Sequence, residues 1–308
     1  MKKQKRKATI LKSVNKYKYL YLLSLPGFIY LILFAYKPMV GILMAFQDYN
    51  IISGISGSPW VGLTHFKTFF SGADFAPVMF NTIKISMLQL LFGFPAPIIL
   101  AVIFNEINCK AFSRVTQTIT YLPHFLSWVT IAAMMTTILS PSSGLVNSVL
   151  TKLGFQPIYF LAEKSMFVPL LIISSIWKEA GWGAIIYLAS LAGLDREVGE
   201  AATIDGCTRL QKIIYINVPH LMSTVAVMLI LRMGGILNAG FDQIFNLYSP
   251  ATYDVAEILD TYVYTLGIKG FQYSLSTAIG LFKSVVGIIM VLVTNWLTKK
   301  LSDGEMSM

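Results

Sequence analysis

Charge is what this sequence has least of. Only 13% of its 308 residues are Asp, Glu, Lys or Arg, about half the charged fraction of an ordinary soluble chain. With 55% of residues hydrophobic, too few charges remain to cover a water-facing exterior. Cysteine is nearly absent as well. Cys109 and Cys207 are too few for a disulfide framework, and both fall in segments read below as cytoplasmic, where thiols stay reduced. The histidines His65, His124 and His220 are scattered and do not make a four-ligand metal spacing. Catalytic signatures are missing too: there is no GxxxxGK[ST], HExxH or GxSxG, and no aspartate pair within adjacent apolar runs. The chain therefore has no phosphate-binding loop, nothing in it supports an intramembrane enzyme, and no bound cofactor is expected.

Long apolar runs are what it does have. Six are read as spans, at roughly 19–46, 78–104, 116–139, 167–193, 218–237 and 275–297, each long enough to cross about 30 Å of hydrocarbon. They are continuous rather than alternating, which argues against a β-barrel. The fold class expected is an all-α integral membrane protein with six transmembrane helices. Residues 1–18 form a basic head carrying eight Lys and Arg, followed by an apolar run too long for a signal peptide and without a small-residue cleavage site, so a retained signal anchor is expected. With that head inside, the cytoplasmic segments hold fifteen basic residues and the outer loops four (Lys67, Lys152, Lys164 and Lys269). The positive-inside rule then puts both termini in the cytoplasm. The net charge of +9 reflects this orientation, and nucleic acid is not an expected partner. The domain layout is a basic segment 1–18, a transmembrane domain 19–297 containing a cytoplasmic loop 195–220, and a cytoplasmic tail 298–308.

Several spans contain residues that lipid does not favour. Lys37 and Pro38 predict that the first helix kinks or ends, and Pro95 and Pro97 in GFPAPI predict a broken second helix. A break at that depth fits either a packing kink or a backbone facing a water-filled path. Lys178 and Glu179 sit mid-span and, as neighbours about 100° apart on a helix, need not pair. Arg232 and Lys283 lie in outer halves, where snorkelling competes with a path-lining role. Trp177 and Trp182 could stack on a pyranose face or serve as interfacial anchors. With Asp242 and Gln243 from the loop 238–274, the residues Trp177, Glu179, Trp182, Arg232 and Lys283 are candidates for a substrate path. Outside, Leu145, Val149, Leu150 and Leu153 recur at helical spacing, predicting a surface amphipathic helix. The outer segments 140–166 and 238–274 are expected to contact an external partner.

The most informative stretch is Asp195–His220, which spans nothing. Asp195 can cap a helix beginning at Arg196, Gly206 suits the left-handed position after its end, and Thr208 with Gln211 has capping-box spacing. Two short capped helices in a membrane protein's loop suggest a docking element.

This stretch resembles the cytoplasmic loop of bacterial ABC importer permeases, which reads Glu-Ala-Ala, three residues, Gly, nine residues, Ile-x-Leu-Pro. Here Glu200, Ala201 and Ala202 precede Gly206 at that interval, and Ile216-Asn217-Val218-Pro219 follows with Val218 in place of leucine. Asp205 resembles the sugar-importer version. Together with NTIKISMLQLLFGFPAPIILAVIFNEI, YLPHFLS, GFDQIFNL and DTYVYTLGI, the likeness covers nearly the whole chain and is to carbohydrate permeases of the maltose-transporter superfamily, LplB-like branch. The resemblance implies a multi-pass protein of the bacterial cell membrane, paired with a second homologous permease. It also implies two cytoplasmic ATPase subunits holding ATP and Mg, an extracellular lipid-anchored solute-binding protein, and an oligosaccharide substrate. On that reading Glu200, Ala201, Ala202, Asp205, Gly206, Ile216 and Pro219 couple ATP binding to alternating access. An ion-driven secondary transporter, or an ABC importer of a peptide or polyamine, stands as the alternative.

Overall fold

The computed structural model describes residues 16–301. Most of the basic head, up to Asn15, and the end of the tail, from Ser302, lie outside the described residues. Apart from one antiparallel bridge between Gln47 and Trp60, every regular element among the described residues is helical. In chain order the principal helices are α1 (Lys18–Phe46), α2 (Thr64–Ser71), α3 (Phe75–Asn105), α4 (Lys110–Tyr121), α5 (Trp128–Ile138) and α6 (Leu145–Lys152), then α7 (Lys164–Ala192), α8 (Arg196–Ile204), α9 (Arg209–Gly234), α10 (Phe241–Leu247), α11 (Leu259–Tyr264) and α12 (Tyr273–Leu301). Helices α1, α3, α9 and α12 are long and apolar enough to cross a membrane. Helix α7, with 29 residues, is about 43 Å long at 1.5 Å per residue, and carries Lys178 and Glu179 near its middle.

In α1, α3 and α9 the prolines do not end the helix they interrupt. Proline has no N–H, and its ring collides with the carbonyl four residues back. In α1, α3 and α9 the residue before the proline answers with a wide turn. Lys37 N–H donates to Ile32 O ahead of Pro38, Phe94 to Gln89 O ahead of Pro95, and Val218 to Ile213 O ahead of Pro219. The five-residue reach moves the offending carbonyl aside, so the ladder is rerouted rather than lost. The expected break at Gly93–Ile98 is thus a change of pitch within α3. The run expected as one helix over 116–139 is instead two. Helix α4 stops at Tyr121, Leu122–Phe125 makes a tight turn around Pro123, and Ser127 restarts the chain by accepting the Thr130 N–H at 3.1 Å.

Three apolar clusters place α3, α7 and α9 at the centre. One joins Ala101 and Phe104 to Ala184, Tyr187, Leu191 and Leu221. A second sets Ile85, Phe167 and Leu171 against Ile244 and Ile258 of the segment after α9, and a third packs Phe69 and Val78 with Met233, Leu259 and Ile279. Lipid offers no hydrophobic gain for bringing helices together, so close approach of small residues carries the packing. A Cβ at Gly181 would lie 2.0 Å from the Thr120 carbonyl oxygen, one at Gly183 would lie 3.0 Å from Pro97 Cβ, and one at Gly287 would lie 2.6 Å from Gly234 O. By contrast α1 buries nothing before Ala45.

Candidate functional site

Two regions hold the polar chemistry. The first is a cavity of about 410 Å³ between the middles of α3 and α7 and the last turns of α9. Gln89 enters it from the wide turn of α3, Glu179 and Trp182 from the middle of α7, and Arg232 from α9. Gln89 ties the walls together, donating from Nε2 to Ala239 O at 3.2 Å and accepting from Arg232 Nη2 at 3.1 Å. Arg232 therefore faces the cavity at the level of mid-α3 and does not reach outward along its helix.

Lys178 and Glu179 do pair. Lys178 is 6% exposed, and its ammonium donates to the His124 carbonyl at 2.6 Å and lies 3.3 Å from Glu179 Oε1. The other carboxylate oxygen of Glu179 lies 2.8 Å from His124 Nδ1. Their backbone directions diverge as the helix requires, but the long lysine stem bends back, because a buried ammonium cannot go unpaired. The His124 ring also stacks on Trp182, with centroids 4.6 Å apart and planes parallel. Glu179 lines a second cavity as well, of about 440 Å³, with Trp128, Lys178, Asp242 and Asn246. Lys178, Glu179 and His124 stand between the two.

The remaining path candidates scatter. Trp177 lies in a separate apolar groove against α5 with Ile131 and Met135, away from Trp182. Gln243 is buried and acts as a fastener, donating from Nε2 to Leu171 O at 2.7 Å and Ser174 Oγ at 2.9 Å. Lys283 forms an ion pair with Asp260. Asp242 is exposed at the second cavity. Sequence reasoning missed His124 and Gln89. His124 stands next to Pro123 and Gln89 six residues ahead of Pro95, but only the backbone's path around those prolines turns them inward.

The second region is the loop after α7. Asp195 caps α8 by accepting the Glu197 N–H at 3.0 Å. At the other end Cys207 N–H donates to Ala202 O at 2.9 Å, Gly206 N–H donates to Thr203 O at 3.1 Å, and Gly206 has φ +80°. This is the left-handed reversal that glycine permits. Thr208 and Gln211 close a capping box at the start of α9. Ala202 is buried beneath α8, whereas Glu200, Ala201, Asp205, Gly206 and Pro219 are exposed and Ile216 is half-buried. Large apolar side chains are left outside: Ile204 is 87% exposed, Tyr215 73% and Leu210 65%. Hydrogen bonds anchor the loop to the central helices. Asn217 Nδ2 donates to Glu106 Oε1 at 3.3 Å, His220 Nε2 lies 2.9 Å from Ser190 O, and Thr224 Oγ1 donates to Ser190 Oγ at 3.0 Å.

In the segment after α9, Tyr262 donates to Asp74 Oδ2 at 3.1 Å, and burial together with that carboxylate pushes its phenol up to about 12. Burial, then the Asp74 charge, raises the Glu257 carboxyl above its usual range.

Residues 93–303 match the family described as binding-protein-dependent transport system inner membrane component. The chain is 44% identical over 302 residues to the polygalacturonan/rhamnogalacturonan transport system permease protein YteP of Bacillus subtilis (strain 168), covering 98% of this chain and 94% of that one. It is 43% identical to Protein LplB of the same organism, covering 94% and 91%. Among solved structures, it is similar to a chain of a bacterial ABC transporter involved in the import of the acidic polysaccharide alginate, with a TM-score of 0.89 and 41% identity over 96% of this chain and 99% of that one. A second structure of the alginate transporter, in complex with an alginate pentasaccharide-bound periplasmic protein, gives a TM-score of 0.88 at 40% identity, covering 96% of this chain and 99% of that one.

Proposed function

This chain belongs to the binding-protein-dependent transport system inner membrane components, and from that premise we propose that it is the permease subunit of an ATP-driven oligosaccharide importer. As a transport permease it is a non-catalytic component of the cell membrane. The observation that carries the mechanism is the capped loop between α7 and α9, which presents Ile204, Leu210 and Tyr215 outward and is hydrogen-bonded to α3, α7 and α9. A partner seated on those side chains moves the three helices that wall the central cavity. Because the sequence carries no phosphate-binding loop, an ATP-driven role calls for a separate ATPase at that surface, two copies of which would carry ATP and Mg for the complex.

On this reading the chain crosses the membrane six times, with α4 and α5 together making the third crossing, and both termini face the cytoplasm. The resulting layout is a basic head 1–18, a transmembrane domain 19–297, the coupling loop 195–220 and a tail 298–308. A second homologous permease closes the open side of the cavity, and an external binding protein delivers the sugar to the outer segments 140–166 and 238–274. The names of the similar proteins support an oligosaccharide cargo: polygalacturonan or rhamnogalacturonan for one and alginate for another. Glu200, Ala201, Ala202, Asp205, Gly206, Ile216 and Pro219 form the coupling surface. Arg232, Glu179 and Trp182 line the path. ATP and the loaded binding protein drive alternating access by favouring different states.

The test is reconstitution of the chain with its ATPase, second permease and binding protein in proteoliposomes. ATP hydrolysis stimulated by the sugar-loaded binding protein is the expected result. Sugar flux driven by an ion gradient through this chain alone would replace this reading with that of a secondary transporter.

A further inference from the structure

Arg232 opens onto the cavity as a cation with no carboxylate paired to it directly, Glu179 acting on it only across the cavity. Among the described residues its one side-chain hydrogen bond is to Gln89, and no carboxylate oxygen lies within 4.0 Å of its nitrogens. The carboxylate that shares the cavity, Glu179, is held by His124 and Lys178. A guanidinium has five N–H donors in a planar fork that matches a carboxylate, so most of that fork has no protein acceptor. Ionisable residues at membrane depth are costly and are kept where something charged uses them. Gln89, anchored at its other end to Ala239 O, fixes the orientation of the fork.

We propose that Arg232 is the specificity-determining residue of the cavity and selects acidic oligosaccharides by pairing with a uronate carboxylate. The proposal rests on the oligosaccharide reading above. Gln89 positions the guanidinium, and Trp182, clamped by His124, forms the wall beside it. The charge complementarity agrees with the names of two similar proteins, since polygalacturonan is built of uronic acid and alginate is described as acidic.

The experiment uses the complete purified transporter without binding protein, so that the permease's own preference is read. Radiolabelled trigalacturonate and its carboxyl-reduced neutral counterpart are the probes, measured by equilibrium dialysis. The wild type is expected to hold the acidic sugar on the order of tenfold more tightly. Arg232→Gln should erase that preference by weakening the acidic sugar, and an unchanged gel-filtration profile and thermal-unfolding midpoint of the complex report an intact fold. Arg232→Lys should retain part of it, as a point charge without the fork. An unchanged acidic-over-neutral ratio in Arg232→Gln would overturn the assignment and leave the importer reading standing. Binding of neither sugar by the wild type would also overturn the Arg232 assignment, whereas the importer reading falls only to the reconstitution described above.

Discussion

His124 Nδ1 and Glu179 Oε2 lie 2.8 Å apart, and the same carboxylate reaches Lys178 with its other oxygen. The pair joins the turn after α4 to the middle of α7, at the boundary between two cavities. Its first consequence is for stability. Removing the negative charge leaves a buried ammonium facing neutral oxygens, those of the His124 carbonyl and the new amide. Glu179→Gln should therefore destabilise the purified protein by about 1–3 kcal/mol, seen as a lower midpoint of thermal unfolding. Lys178→Met combined with Glu179→Gln should recover part of the loss, because the uncompensated charge is gone. A double variant as unstable as the sum of the two singles would mean the residues act independently.

A second prediction concerns helix contact. Gly181 brings α7 within backbone contact of Thr120, where a Cβ would sit 2.0 Å from a carbonyl oxygen that has no rotamer in which to escape. Gly181→Ala should cost about 1–3 kcal/mol through forced separation of α4 and α7. Gly280→Ala, with open space around it, is the control and should melt within a degree or two of wild type. Equal melting of the two variants would refute the packing account.

The third concerns pH. Glu257 has its carboxyl raised above the ordinary value of 4.5, mainly by burial and then by Asp74. A carboxyl whose folded pKa is raised favours the folded state when protonated. That contribution is present below 4.5 and is lost as pH rises through the folded value. Glu257→Gln mimics the protonated form, so it should be more stable than wild type at pH 7.5 and converge with it near pH 4. Parallel melting curves across that range would count against the shift.

Much of the loop 195–220 is legible in the sequence because caps are local chemistry. Asp195, Gly206, Thr208 and Gln211 act within three residues of their own positions, and each sits in the predicted role. The cavity is less legible. Arg232 and Gln89 are 143 residues apart, and no periodicity predicts their meeting. Nor does helical geometry alone predict that adjacent Lys178 and Glu179 pair, since the ion pair depends on lysine's flexible stem. The prolines mislead in one direction: they mark where the ladder must change, but not whether it breaks or widens. Gln243 illustrates the remaining gap. A polar residue beside Asp242 reads as a path candidate, yet long-range packing turns it into a buried fastener for α10 on α7.

A fourth prediction follows from the anchors beneath the loop. His220 to Ser190 O, Thr224 to Ser190 Oγ and Asn217 to Glu106 join the start of α9 to α7 and the end of α3. Asn217→Ala together with His220→Ala should loosen this linkage without touching the outward face of α8. The reconstituted complex should then hydrolyse ATP at near-normal rates while importing several-fold less sugar per ATP. An unchanged sugar-to-ATP ratio would show that motion does not pass through these bonds.

On the proposed function, another chain's ATP work enters at Glu200–Gly206. Gly206 has φ +80° with open space around it, so a side chain there strains the reversal and intrudes on whatever docks outside. Asparagine tolerates the left-handed region far better than leucine, which separates strain from docking. The most direct measurement is ATP-driven sugar uptake by proteoliposomes carrying the complete transporter with Gly206→Leu, Gly206→Asn or Glu200→Lys, each confirmed to insert. The account predicts that Gly206→Leu and Glu200→Lys abolish uptake and sugar-stimulated hydrolysis, while Gly206→Asn keeps a measurable fraction of both. Normal ATP-driven uptake by the Gly206→Leu or the Glu200→Lys complex would contradict it.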